Sequence, residues 1–174
     1  GLKAGNDFHL VHCPERAIPG KTIDEIQKND RIIGGIDKES AELAKSLYSS
    51  FVKGNIFPTD ITTAEFVKLM ENTYRDINIS MANEFAQNAE ESCVNVGEAI
   101  KLANKHPRVK ILLPGPGVGG HCIAVDPWFI AENSTSCRIV YLAGEINGSM
   151  PNHVLKIVKR LIEGIKSPTI SVLG

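Results

Sequence analysis

One cysteine at the end of a glycine-rich stretch is the residue of this sequence best suited to act as a nucleophile. Cys122 closes the run LPGPGVGGHC, which holds four glycines and two prolines, and Asp126 follows it four residues later. Glycine lets a backbone approach a ligand closely, and amide groups in such loops can bind anionic oxygens. We therefore expect Gly117 and Gly119 to lie beside a bound substrate. The same pattern also fits a plain turn that carries a small core thiol.

A second pair of polar residues lies in a segment with helical periodicity. Lys68 and Asn72 are four residues apart, so a helix would place both side chains on one face. An ammonium group and an amide in that arrangement could bind an oxyanion. The charge of Lys68, or the start of a helix after Asp126, would favour the thiolate form of Cys122. The alternative is an ordinary solvated helix face.

A carboxylate near the N-terminus and three further cysteines leave more than one interpretation. Glu15, in the run CPER, follows an apolar strand pattern and could be an active-site carboxylate or part of a surface turn. The remaining cysteines lie within apolar patterns, which predicts structural roles for Cys13, Cys93 and Cys137. Their wide and irregular spacing does not match a zinc site.

The first 60 residues predict part of an α/β sheet domain. Apolar runs at 8–13, 31–35 and 55–57 are typical of strands, and residues 38–52 show helical spacing. Because so few strands cannot close a sheet domain alone, we expect them to complete a larger one.

A long helix is predicted from Thr62 onward. Thr62-Thr63-Ala64-Glu65 fits a capping box, and neither proline nor glycine occurs again before Gly97. The helix would have about 30 residues and a length of roughly 45 Å. Since such a helix is too long for one small core, we expect part of it to pack against another domain or against a second copy of the chain in a homodimer.

Shorter helices and a last strand are predicted for the rest of the chain. A helix capped by Asn95 should end before Pro107. Further helices are predicted at 128–133, at 137–145 and from 151 onward, and the run 169–174 is typical of a strand. Strand patterns near both ends of the chain indicate the middle section of a longer protein.

The charge balance excludes several classes of partner. Nineteen basic residues against twenty acidic ones give a formal net charge of -1, so no excess of positive charge is present to bind nucleic acid or a lipid surface. No apolar run approaches the ~20 residues that cross a bilayer, and the first residues do not fit a signal peptide. A soluble cytoplasmic protein is the expectation.

Taken in order, the motifs of this chain resemble the UDP-glucose/GDP-mannose dehydrogenase family. The resemblance rests on CPERAIPG, NDRIIGG, TTAEFVKLMENTYRDINISMANE, GPGVGGHCIAVDP, EINGSMPNHV and TISVLG. The longer run HPRVKILLPGPGVGGHCIAVDPW looks most like the branch that acts on UDP-N-acetyl-D-mannosamine. The resemblance implies an α/β parent whose present section is mainly α, with a long helix flanked by strand pieces of two Rossmann-like domains.

The same resemblance implies a division of the chain into three parts. Residues 1–60 would be the C-terminal part of an NAD-binding domain, and residues 61–148 a central helical domain for dimerisation and catalysis. Residues 149–174 would be a linker helix and the first strand of a UDP-binding domain.

The activity that the resemblance implies is the four-electron oxidation of a UDP-sugar by NAD, in the synthesis of surface-polysaccharide precursors. Cys122 matches the nucleophile that carries the thioester. Lys68 and Asn72 would stabilise negative charge on the substrate oxygen, and Asp126 and Glu15 would handle proton transfer and the hydrolytic water. Further substrate contacts are implied for Arg16 and Arg108.

Two departures from the family pattern qualify this carry-over. UDP-glucose dehydrogenases usually have a lysine just before the loop aspartate, where this chain has Val125. GPGVGG lacks the strand-turn-helix context of a dinucleotide site, so the chain alone is expected to bind no NAD and to be inactive. The alternatives are a non-catalytic helical dimerisation module, an enzyme for UDP-N-acetylglucosamine or UDP-glucose, and a hydroxyacid or phosphogluconate-type dehydrogenase that uses no loop cysteine.

Overall fold

The computed structural model describes residues 1–132 and 134–173, and the chain forms two compact units, 1–71 and 72–174. Helices dominate, as the sequence predicts. The strands and helices are, in chain order, β1 (Val11–His12), α1 (Thr22–Lys28), β2 (Arg31–Gly35), α2 (Lys38–Ser49), β3 (Ile56–Asp60), α3 (Ile61–Glu91), α4 (Val96–Ala103), α5 (Asp126–Glu132) and α6 (Arg138–Leu161).

The first unit is built on a three-stranded sheet in the order β1-β2-β3. Strand β2 pairs antiparallel with β1 and parallel with β3, and the crossover between the parallel strands is α2. Ile33 of β2 is fully buried, and Ala41 and Ala44 of α2 are buried as well. This arrangement confirms the α/β character predicted for the segment.

Strand β3 is longer than predicted because it continues through Pro58, which pairs with Ile33. Proline lacks an N–H group but is tolerated in a strand at the edge of a sheet, and the strand order places β3 at an edge. Helix α1 was missed, since it has only seven residues and buries none of them.

Helix α3 has 31 residues, which confirms the predicted length. Its start differs from the prediction, because the capping oxygen belongs to Asp60 and not to Thr62. The Asp60 carboxylate accepts hydrogen bonds from the Thr63 backbone N–H (2.9 Å) and the Thr63 hydroxyl (2.6 Å).

Helix α3 also carries an exposed apolar stripe along its length, which comprises Phe66, Met70, Tyr74, Met81 and Phe85. Dimerisation through α3 stays a prediction.

Helix α6 is continuous through Pro151, so the two helices predicted at 137–145 and from 151 onward are wrong in this respect. Proline removes one N–H and usually ends or kinks a helix. Here α6 has a buried face that extends up to the residue before the proline and comprises Val140, Ala143, Asn147 and Met150. The packing of that face outweighs one lost hydrogen bond.

Other predicted bounds fare differently. Helix α4 is capped as predicted, because the Asn95 side chain accepts a hydrogen bond from the Glu98 N–H. Helix α5 begins two residues before the predicted start at Trp128, and the predicted end at Asn133 lies outside the described residues.

The strand predicted at 169–174 does not form at residues 169–173, and Gly174 lies outside the described residues. Val172 and Leu173 are almost fully exposed, and a strand needs a hydrogen-bonded neighbour. Assignment of this end to a UDP-binding domain stays a prediction. Across 1–132 and 134–173, no helix combines the length and the apolar character needed to cross a membrane.

Candidate active site

The Cys122 thiol is exposed at the end of the irregular loop that joins α4 to α5. Its backbone carbonyl accepts hydrogen bonds from the N–H groups of Val125 (3.0 Å) and Asp126 (2.8 Å), which forms the turn that leads into α5. Gly120, two residues earlier, has a φ of 91°, which a glycine adopts without strain. The turn therefore presents the thiol to solvent, where a substrate can reach it.

Asp126 is fixed by Asn72, so two of the predicted site residues lie together. Asn72 of α3 is 4% exposed, and its Nδ2 donates a hydrogen bond to Asp126 Oδ2 at 2.6 Å. Lys68 is half-buried one turn earlier in α3 and belongs to the first unit, whereas Asn72, Cys122 and Asp126 belong to the second. An Asn72 amide held by a carboxylate has a defined orientation, which an oxyanion-binding group requires.

The middle of the same loop, at Gly115, is held by a chain of buried amides that the sequence analysis missed. The Gly115 N–H donates to Asn83 Oδ1 (2.8 Å), and Asn83 Nδ2 donates to Asn147 Oδ1 (2.9 Å). Asn147 Nδ2 in turn donates to Asp76 Oδ1 (2.7 Å) and to the Asp76 carbonyl oxygen (3.2 Å). Burial raises the pKa of the Asp76 carboxyl, and the hydrogen bond from Asn147 opposes this effect.

A signal for these buried amides was present in the sequence. Polar residues recur along α3 at helical spacing, and the structure buries Asn72, Thr73, Asp76, Ser80 and Asn83. A stripe of uncharged and acidic side chains on one helix face, in place of apolar ones, indicates a hydrogen-bonded interior.

The two glycines predicted to contact a substrate differ in their surroundings. Gly117 has a φ of 122°, and a Cβ built there would lie 2.9 Å from the Asn147 carbonyl oxygen and 3.5 Å from Pro151 Cδ. Gly119 has open space where a Cβ would project. Close packing therefore accounts for Gly117, and Gly119 is the residue left free to face a ligand.

In the first unit, Glu15 is held by hydrogen bonds. Arg31 donates to Glu15 Oε2 (2.9 Å), and the N–H groups of Arg16 and Ala17 donate to Oε1 (2.6 Å each). Partial burial acts to raise the pKa of Glu15, but the hydrogen bonds from Arg31, Ala17 and Arg16 outweigh it and lower the pKa. Glu15 is thus an oriented carboxylate, as a general base would be.

The two arginines predicted to bind substrate are placed differently. The Arg16 guanidinium pairs with the Glu71 carboxylate and also donates to the Asp30 carbonyl oxygen (3.3 Å). Arg108 is exposed in the loop after α4, in a basic segment with Lys105 and Lys110. Arg108 is therefore accessible, whereas Arg16 would have to share its charge with Glu71.

The predicted structural role of the other cysteines needs one correction. Cys13 and Cys137 are partly buried, but Cys93 is exposed, with a φ of 54°. It lies outside the apolar helical pattern because α3 ends at Glu91. For Cys13, burial raises the pKa of the thiol against opposing effects of Tyr48 and Arg31, which fits a neutral, partly buried thiol.

The turn from β2 to α2 has the parts of a dinucleotide pyrophosphate site, which are a strand, a turn and a helix N-terminus. Asp37 caps α2, and its carboxylate accepts a hydrogen bond from the Ser40 N–H at 2.7 Å. Hydrogen bonds from Ser40 lower the pKa of Asp37, so a negative charge occupies the helix start. This turn does not fit a pyrophosphate.

The chain thus combines a parallel β-α-β unit near its start with a mainly helical second unit, which carries an exposed cysteine on a glycine-rich loop. Residues 62–148 match the central domain of the UDP-glucose/GDP-mannose dehydrogenase family, and residues 1–52 match the NAD binding domain of that family. The chain belongs to the UDP-glucose/GDP-mannose dehydrogenase family.

Similar proteins narrow the comparison. The chain is 59% identical over 171 residues to the UDP-N-acetyl-D-mannosamine dehydrogenase of Methanococcus maripaludis, which covers 96% of this chain and 40% of that protein. The structure of a UDP-D-ManNAc dehydrogenase from Pyrococcus horikoshii matches with a TM-score of 0.89 at 51% identity, over 93% of this chain and 39% of that one. The structure of the UDP-N-acetyl-mannosamine dehydrogenase of Staphylococcus aureus matches with a TM-score of 0.86 at 47% identity, over 99% of this chain and 40% of that one. The chain thus spans about 40% of the length of the curated relatives it matches.

Proposed function

We propose that this chain is the catalytic section of an enzyme that oxidises UDP-N-acetyl-D-mannosamine at its sixth carbon to the uronic acid, with Cys122 as the nucleophile. The observation that carries the proposal is the exposed Cys122 thiol on a turn whose last residue, Asp126, is hydrogen-bonded to Asn72. The choice of sugar rests on relatives of that name at up to 59% identity.

The chemistry balances as two oxidations and one hydrolysis. The alcohol first loses a hydride and a proton to give an aldehyde. The Cys122 thiolate adds to the aldehyde carbon, and the resulting thiohemiacetal alkoxide loses a second hydride to give a thioester. Water then releases the carboxylate and regenerates the thiol. NAD, when bound, would accept both hydrides. No described residue is assigned a role in binding it.

The roles of the chain's own residues follow from their chemistry. The Asn72 amide has a second N–H beyond the one bonded to Asp126, and with the Lys68 ammonium it would stabilise the oxyanion formed when the thiolate adds to the aldehyde. Asp126 would exchange the proton of the substrate oxygen. Glu15 is an oriented carboxylate that its lowered pKa keeps ionised, and it would accept a hydrogen bond from the hydrolytic water and orient it.

The test is uronic acid formation by the whole enzyme that contains this chain, with UDP-N-acetyl-D-mannosamine, UDP-N-acetylglucosamine and UDP-glucose as substrates. We expect the mannosamine substrate to be preferred and Cys122→Ser to lower kcat by at least about 100-fold. Cys137→Ser, which changes a partly buried thiol, is the matched control and should retain activity. Full activity of Cys122→Ser would reject Cys122 as the nucleophile. Preference for UDP-glucose would reject UDP-N-acetyl-D-mannosamine as the substrate.

A further inference from the structure

The segment from Gly115 to Asp126, which contains Cys122, is attached to the helices of the second unit at three points. Gly115 is bonded to Asn83 of α3, Gly117 packs against the Asn147 carbonyl of α6, and Asp126 is bonded to Asn72 of α3. The last contact belongs to the candidate active site. The first depends on Asn83, a fully buried amide that the proposed mechanism does not use.

The direction of the buried hydrogen bonds has one source. The Asp76 carbonyl oxygen can only accept, and Asp76 Oδ1 accepts as well, so Asn147 must turn its NH₂ group toward Asp76. The Asn147 oxygen then faces Asn83, which must turn its own NH₂ group toward Asn147. As a result the Asn83 oxygen faces the loop and accepts the Gly115 N–H.

We propose that Asp76, Asn147 and Asn83 are positioning residues, in which the acceptors of Asp76 set the orientation of two amides and thereby hold the loop that presents Cys122. This inference rests on the proposed function for its effect on turnover. Its structural part concerns the loop alone. The relay is nearly sealed from water, since the three side chains are 5%, 5% and 0% exposed, so no solvent molecule is at hand to replace a lost partner.

Two isosteric substitutions test the direction of the relay. In Asn83→Asp, the new carboxylate still accepts the Gly115 N–H, but it also faces the Asn147 oxygen, so acceptors at opposite ends of Asn147 compete for its single NH₂ group. Asn147 cannot flip to relieve this competition, because its oxygen would then face the Asp76 carbonyl oxygen, which belongs to the backbone. Asp76→Asn keeps both acceptors that face Asn147, so it should leave the direction of the relay unchanged.

The measurements use the whole enzyme. For Asn83→Asp we expect hydrogen exchange in the peptide 113–122 to accelerate about tenfold, and kcat to fall about 10- to 100-fold with KM changed less, because a small displacement of the nucleophile slows the chemical step. Asp76→Asn alone should change both by less than about threefold, since its oxygens still accept. Asn78→Asp, on α3 with a side chain bonded to the Tyr74 carbonyl, is the matched control.

The outcomes separate the two proposals. Faster exchange and a lower kcat in Asn83→Asp, with both nearly unchanged in Asp76→Asn, support the relay, and unchanged exchange at 113–122 in Asn83→Asp overturns it. Faster exchange at 113–122 with an unchanged kcat supports the relay and counts against Cys122 as nucleophile. If Asn83→Asp does not fold, Asn83→Ala takes its place, since it removes the acceptor of the Gly115 N–H without adding a buried charge, and exchange at 113–122 as slow as in the wild type overturns the relay.

Discussion

Replacement of Gly117 by alanine should destabilise the second unit, whereas the same change at Gly119 should not. Gly117 has a φ of 122°, a region that residues other than glycine occupy at a cost of about 1–3 kcal/mol. The new Cβ would also lie 2.9 Å from the Asn147 carbonyl oxygen, which belongs to a helix backbone and cannot rotate away. Such overpacking costs typically about 1–3 kcal/mol. The two effects together predict a loss of at least about 2 kcal/mol, or roughly 30-fold in the folding equilibrium.

The assay is urea unfolding of the chain, followed by the fluorescence of Trp128, its single tryptophan. Trp128 reports on the right unit, because its ring lies against Tyr141 with a centroid separation of 5.7 Å. Gly119→Ala is the control, since a Cβ there meets open space, and it should change the free energy of unfolding by less than about 0.5 kcal/mol. Equal stability of the two variants would refute the close packing of Gly117 against α6.

Three further predictions concern caps and ion pairs. Asp60→Ala should lower the free energy of unfolding by about 1 kcal/mol and Thr62→Ala by only a few tenths, because Asp60 caps α3; equal losses in urea unfolding would contradict this. Asn95→Ala should cost about 1 kcal/mol and speed hydrogen exchange in α4, and unchanged exchange there would contradict the cap. The folded-state pKa of Glu15 is lowered, so its contribution to stability is present above its unfolded-state pKa and is lost as the pH falls through the folded-state value. The stability difference between wild type and Glu15→Gln should therefore be larger at pH 7 than at pH 3, and a constant difference would contradict the pairing with Arg31.

The elements that the sequence predicted well are those whose signals are local. The length of α3 followed from a long run without proline or glycine, and the start of α4 followed from Asn95 and Glu98, which contact each other directly. The candidate loop was found from its glycines and Cys122. Local signals also misled where two residues competed for one role, as Asp60 and Thr62 did at the start of α3.

What the sequence could not supply are contacts between distant residues. Asn147 and Asp76 are 71 positions apart, and no local pattern links them. Such contacts also explain why α6 continues through Pro151. Asn147 binds Asp76 of α3, and the Met150 sulfur accepts a hydrogen bond from Gln87 of α3 at 3.2 Å, so the buried face of α6 is held against α3 just before the proline. The low helix propensity of a single proline has less effect than that packing.

Detection of the covalent intermediate would show whether Cys122 is the nucleophile. The whole enzyme would be mixed with NAD and UDP-N-acetyl-D-mannosamine, quenched in acid at times from milliseconds to minutes, digested and analysed by mass spectrometry. We predict a uronyl adduct on the peptide that contains Cys122, formed before the free uronic acid and lost as it accumulates. An adduct on a different residue, or steady formation of uronic acid by an enzyme whose Cys122 has been fully alkylated beforehand, would contradict the account.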